Sequence, residues 1–198
     1  MREEALRYHK VAMSLHWLMA VLILTNLAIG ISFGFIEMGP TKFWLFQFHK
    51  SIGITVLLLT VVRIAWRLGA GAPAEPPMPA WQRWAANIVH FLLYFLMLAI
   101  PFTGWVMVSY SPLKLPTLLF WTIPWPHLPV LDPNADMKAV AGQAKLLHQY
   151  LAYSMIGLWL MHVGAALQHH FILKDTVILR MTPRFLEKTL RWVRGERA

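Results

Sequence analysis

The chain has 198 residues, 58% of them hydrophobic, a formal net charge of +9 and no cysteine. So large a hydrophobic share excludes an ordinary soluble domain. The lack of cysteine excludes disulfides, thiolate metal sites, iron–sulfur clusters and groups attached through C-x-x-C-H.

The first apolar run, about Val11–Phe33, follows Arg7 and Lys10. It is longer than the 7–15-residue core of a signal peptide, and no A-x-A site follows, so it reads as a retained helix. It carries His16 near its start and Gly30 fourteen residues later. The second run, about Phe43–Trp66, holds His49, Lys50, Gly53 and Arg63. A Gly/Pro-rich break, "GAGAPAEPPMPAW", separates it from the third, about Ala85–Tyr110, which contains His90. The connection "YSPLKLPTLLFWTIPWPHLPVLDPNAD" is long and rich in proline, with enough apolar side chains to lie over the end of the bundle. The fourth run, about Leu146–His170, holds His148, Gly157, His162, Gly164, His169 and His170. The tail beyond it, over 183–194, reads as a short amphipathic helix for the membrane surface. Each of the four runs exceeds the roughly 18 residues of a spanning helix. The expected fold is therefore all-α, an integral membrane four-helix bundle forming one domain over residues 1–198.

Thirteen of the 18 basic residues fall in the N-terminal arm, the second connection and the tail; the rest are Lys42, Lys50, Lys114, Lys138 and Lys145. The positive-inside rule puts both termini in the cytoplasm and the long loop outside. The basic residues form no stripe interleaved with aromatics, so nucleic acid is not an expected partner; membrane lipid is.

The histidines are the exception in this apolar background, because an unpaired polar group in hydrocarbon is costly. His9 and His127 lie where water reaches, and His170 is expected at the interface. His148 and His162 are fourteen residues apart, about 40° short of four full turns and roughly 21 Å along one helix axis. One helix thus offers a ring at each of two depths. With alternating helix directions, His16 matches the inner depth of His162, and His49 the outer depth of His148. A bare zinc ion wants four ligands. Two imidazoles on opposite sides of a flat apolar disc describe haem b, so two non-covalent haems are expected, with these four histidines as axial ligands of the iron. Small residues, Gly30, Gly53, Gly157 and Gly164, mark where a ring could approach. Arg63, fourteen residues after His49, and Lys50 are the cations for propionates; simple snorkelling is the alternative for Arg63. His90 is a second candidate beside the inner site. His16 is preferred as ligand, leaving His90 to support the site, meet a propionate or pack. A haem-free proton or metal transporter using intramembrane histidines is a competing class.

The motifs "SLHW", "FQFHKSIG", "NIVHFLLY", "LLHQYLAY" and "LWLMHVGAALQHHFILKD" resemble those of the bacterial di-haem cytochrome b561 family, over all four helices. That family includes a superoxide oxidase, which passes electrons from superoxide to ubiquinone. The resemblance implies a multi-pass protein of the bacterial inner membrane, an oxidoreductase with two haems b and ubiquinone as acceptor. It implies His16 and His162 as ligands of one haem, His49 and His148 of the other, and His169 at a quinone site. The outer loop looks longer and more proline-rich than the family's, and it bears on the electron donor. The same helical plan also resembles the cytochrome b subunits of membrane hydrogenases and formate dehydrogenases, which relay electrons for a partner redox subunit.

Overall fold

A computed structural model describes residues 7–74, 76–130, 132 and 134–195. Four long helices dominate: α1 (Lys10–Ser32), α2 (Pro40–Ala70), α3 (Ala80–Ser109) and α4 (Met137–Phe171). A short hairpin, β1 (Thr117–Leu119) and β2 (Ile123–Trp125), lies between α3 and α4, and α5 (Arg184–Val193) closes the described chain. All four long helices have the length and hydropathy of membrane spans.

The helices outrun their apolar stretches at several ends because local chemistry, not hydropathy, sets their limits. Pro40 opens α2, where its missing N–H costs nothing. Asp136 caps α4 by accepting the Ala139 N–H at 3.0 Å. Gly71, at φ +69, ends α2 and gives its N–H to the Arg67 carbonyl.

Compact packing divides the chain into two units, Met1–Leu18 with Val62–Leu93 and Ile156–Ala198, and Met19–Val61 with Tyr94–Met155. Every long helix contributes a segment to each.

In the second unit the buried apolar side chains are few, among them Met19, Ile52, Val56, Leu96 and Met155. They share the interior with Ser51, Thr60, Thr103 and Ser109. These hydroxyls are satisfied by their own helices: Thr60 bonds the Val56 carbonyl at 2.7 Å and Ser109 that of Trp105 at 2.7 Å. The large apolar residues, Phe95 and Phe102 among them, point outward. Such a surface is untenable in water and expected in lipid. The connection after α3 is tied down at both ends of its hairpin. Gln47, Lys50 and Ser51, on one turn of α2, hold residues 116–120, and the Phe120 N–H donates to Ser51 Oγ at 2.8 Å. Trp121 stacks on Trp44 and Phe48, and Trp105 Nε1 donates to the Pro126 carbonyl.

In the first unit, residues 172–194 fold back against the start of α1. Tyr8 N–H donates to the Arg180 carbonyl at 3.2 Å, and Trp17 Nε1 to that of Met181 at 2.8 Å. Arg7 bridges to Glu187 at 2.7 Å, and Glu187 also accepts from Arg191 at 2.8 Å. This turns the charged side of α5 toward the protein and leaves Phe185 and Trp192 more than three-quarters exposed.

Candidate functional site

In the unit containing residues 94–155, the rings of His49 (α2) and His148 (α4) meet with centroids 6.1 Å apart and planes at 68°. α3 prepares the place for His148. Pro101 removes one helix N–H, and Gly104 removes a side chain: a Cβ there would lie 3.1 Å from His148 Cε1. His148 Nδ1 lies 2.9 Å from the Ile100 carbonyl and 3.2 Å from Thr103 Oγ1. The carbonyl can only accept, so the proton sits on Nδ1 and the Nε2 lone pair is left to bind a metal. His49 is held by shape. A Cβ on Gly30 would come within 3.3 Å of its Cε1, Phe33 packs edge-on at 5.4 Å, and its Nδ1 is buried.

In the other unit three rings converge. His162 (α4) lies 6.2 Å from His16 (α1) and 5.4 Å from His90 (α3), with planes near 67° in both cases. Arg63 reaches His16: its Nη2 is 3.4 Å from His16 Nδ1, and its Nη1 donates to the Ala12 carbonyl at 3.2 Å. Arginine only donates. In this geometry His16 Nδ1 accepts and the ring proton sits on Nε2, so ligation through Nε2 requires Arg63 to swing away.

Among the described residues, no group of three or more His, Asp or Glu side chains is arranged to hold a bare metal ion. Paired imidazoles suit instead a metal that brings its own in-plane donors, as haem iron does. The donor set, the free Nε2 of His148 and the two ring-facing glycines fit that group.

The remaining residues singled out from the sequence fall as follows. Lys50 Nζ is 3.3 Å from the Pro116 carbonyl and from Thr117 Oγ1, so its bonds are to the loop. Gly53 faces Asn26, while Gly157 and Gly164 face open space. His169 Nδ1 lies 2.5 Å from Asp175 Oδ2. His170 corrects an expectation. It is not interfacial but 1% exposed, with neither ring nitrogen bonded and Phe171 against it at 4.8 Å. One residue step turns a helical side chain by about 100°, which here carries it from the flank of His169 into the protein.

Sequence reasoning missed Ile100, Thr103 and Gly104. Their signal was present as "IPFTG", a proline and a glycine three residues apart inside an apolar run. It missed Asp175 too, although a carboxylate just past a helix ending in two histidines is a visible pairing.

The family model described as "Prokaryotic cytochrome b561" matches residues 7–184. "Cytochrome b561 homolog 1" of Escherichia coli (strain K12) is 33% identical over 182 residues, covering 90% of this chain and 98% of that protein. "Cytochrome b561 homolog 2" of the same organism is 31% identical, over 88% of this chain and 90% of its own length. The "Probable superoxide oxidase CybB" of Yersinia pestis is 29% identical, over 90% of this chain and 97% of its own length.

Proposed function

The chain belongs to the prokaryotic cytochrome b561 family, haem-binding electron-transfer proteins of bacterial membranes, and from this premise we propose that it is a di-haem superoxide:ubiquinone oxidoreductase. One haem b is held by His49 and His148, the other by His16 and His162, with His90 beside the second. Both termini are cytoplasmic, which makes the His49–His148 site the outer one.

The observation that carries this reading is His148. Its Nδ1 is committed to the Ile100 carbonyl, and its ring meets that of His49 from another helix. Membrane histidines that only join helices do not need a freed Nε2 and a glycine cut away to seat the ring. The likeness to the probable superoxide oxidase of Yersinia pestis supports the choice of donor.

Bound haem supplies a reversible one-electron centre at each pair. The chain does the rest. Lys42, Lys50, Lys114, Lys138 and Lys145 outnumber Glu37, Asp132 and Asp136 on the side assigned as outer, and that modest excess would steer in a small anion. Two superoxide anions each give up one electron and leave as dioxygen; one ubiquinone takes both electrons and two protons. Arg63, released from His16 Nδ1, and Lys50, released from Pro116 and Thr117, are the cations that would meet propionates. His169 lies one heptad past His162 on the same face of α4, and it binds the quinone carbonyl.

The test uses the purified, haem-loaded chain alone. Enzymatically generated superoxide should drive formation of ubiquinol, and superoxide dismutase should abolish it. Haems that superoxide leaves oxidised, or reduces without quinol formation, would replace this reading by the electron relay for a partner redox subunit.

A further inference from the structure

α4 ends in a tight reversal. Ile172 and Leu173 both return their N–H groups to the Gln168 carbonyl, and Lys174 takes up φ +52, a region that side chains other than glycine rarely adopt. The reversal brings Asp175 back against the helix it has just left. Each polar atom of Asp175 is then engaged. Its N–H donates to the His169 carbonyl at 3.1 Å, and its own carbonyl accepts from Arg194 Nη1 at 2.7 Å. Oδ1 accepts the Val177 N–H at 2.9 Å, and Oδ2 faces His169 Nδ1 at 2.5 Å. Three of the four contacts fix where the carboxylate stands, so the fourth fixes the imidazole. The pair also bridges two environments: the His169 side chain is 15% exposed, and that of Asp175 is 35% exposed.

We propose that Asp175 is a positioning residue for quinone reduction, holding His169 with Nδ1–H toward the carboxylate and Nε2 as the nitrogen that gives a proton to a quinone carbonyl. This rests on the placement of quinone at His169 made above. Nothing in the paired histidines of the haem sites requires it.

The chemistry follows from what each nitrogen can do. A carboxylate can only accept, so Nδ1 carries a proton whenever the pair is formed. A neutral ring in that state presents a lone pair at Nε2, which repels a carbonyl oxygen. A ring protonated at both nitrogens presents Nε2–H, and the adjacent carboxylate stabilises its positive charge without itself taking the proton. Reduction of one quinone to quinol consumes two electrons, delivered singly through the haems, and two protons. His169 delivers one proton from Nε2 to a carbonyl oxygen. The second comes from water, and after quinol leaves water reprotonates Nε2. The Nδ1–H bond to Asp175 persists throughout, which keeps the ring from flipping between turnovers.

The plain alternative is that Asp175 only closes the turn through Oδ1 and Val177. Two substitutions separate the roles. Asp175→Asn keeps a side-chain oxygen for the Val177 N–H and removes the charge. Asp175→Glu keeps the charge and lengthens the side chain by one methylene, which disturbs the turn. In the full-length, haem-loaded protein, Asp175→Asn should leave haem content, spectra and reduction by superoxide unchanged. Reoxidation of the haems by ubiquinone-1 should slow by about tenfold or more, in line with loss of a charge-assisted hydrogen bond. The dissociation constant for ubiquinone-1, titrated against the oxidised protein by tryptophan quenching, should rise as well. Asp175→Glu should recover part of both. The double variant His169→Ala/Asp175→Asn should be no slower than His169→Ala alone, because residues acting as one unit are not additive.

Normal reoxidation and affinity in Asp175→Asn, with His169→Ala slow, overturns the proposal and leaves quinone at His169. Normal reoxidation in His169→Ala overturns the placement of quinone itself. If Asp175→Asn fails to fold, Asp175→Glu decides: a folded, haem-loaded protein as slow as His169→Ala assigns Asp175 to the turn alone.

Discussion

At the scale of single residues, the site is built by what is left out as much as by what is present. Gly104 and Gly30 are the two glycines whose added methyl would press on a histidine ring, at 3.1 and 3.3 Å. Gly157 lies on α4 with nothing within 4 Å. Gly104→Ala should therefore displace His148, at an overpacking cost of about 1–3 kcal/mol. Pyridine haemochrome should fall from two haems per chain toward one, with Gly157→Ala unchanged as the control. Loss of neither haem in Gly104→Ala would mean that the His148 ring yields by the few tenths of an ångström the methyl needs. The three-ring cluster poses a second question. His90 stands closer to His162 than His16 does, 5.4 against 6.2 Å, yet Arg63 engages His16. His16→Ala should remove the haem that His162→Ala removes, while His90→Ala keeps it with an altered spectrum. The opposite result exchanges the roles of His16 and His90. The spacing of fourteen residues made the placement of His148 and His162 legible in the sequence, because helix periodicity is rigid. The partners of His148 were not legible, since a carbonyl such as that of Ile100 is the same in every residue, and only the fold decides which one a ring will meet.

At the scale of elements, the four spans were legible because long apolar runs have few other uses. Their ends were not. α4 begins at Met137, nine residues before the apolar run, because the Asp136 cap and not hydropathy starts it. The hairpin in the connection after α3 was read as loop. Its strands are three residues each, and its turn puts Phe120 and Trp121 at positive φ, where a sequence rule expects glycine or asparagine. Stacking of Trp121 on Trp44 offsets that strain. α5 was legible from its amphipathic pattern, but its charged side turns out to be tied inward through Glu187. The hydrogen bond from Arg191 is the main reason the Glu187 carboxyl lies below its ordinary value of 4.5; burial opposes it, and the hydrogen bond from Arg7 and the charges of both arginines add to the lowering. A carboxylate with a lowered folded value stabilises above the unfolded value and loses that contribution as pH falls through the folded one. Amide exchange in α5, corrected for intrinsic rates, should thus accelerate as pH falls below the ordinary glutamate range. The gain in Glu187→Gln should be absent, its exchange being already fast and insensitive to acid. A partly exposed pair of this kind contributes on the order of 1 kcal/mol or less, so the effect stays local to α5. Equal acid sensitivity in both proteins would assign the fraying to another group.

At the scale of the molecule, the chain has no cysteine, which makes its arrangement in the bilayer directly measurable. In sealed right-side-out vesicles, Lys138→Cys should react with an impermeant maleimide, and Lys188→Cys only after the membrane is opened. Phe185→Cys should stay slow even then, on our proposal that the exposed apolar side of α5 lies in the lipid surface. Labelling of Lys188→Cys in intact vesicles would invert the orientation drawn from the charge count. The same contrast of surface and interior bears on which mutations the protein can absorb. Ser51 and Thr60 are fully buried, whereas Phe91, Phe95 and Leu160 are at least half exposed. In a bilayer, positions of the second kind should meet fluid acyl chains, so one apolar side chain should replace another there at little cost. Positions of the first kind are limited by volume, and a leucine in place of Ser51 has nowhere to go. A saturation library would show tolerance rising with hydrophobicity along the wild-type sequence. Ranking positions by how apolar they are, the usual guide to where a soluble protein is fragile, would have its sign reversed in this chain.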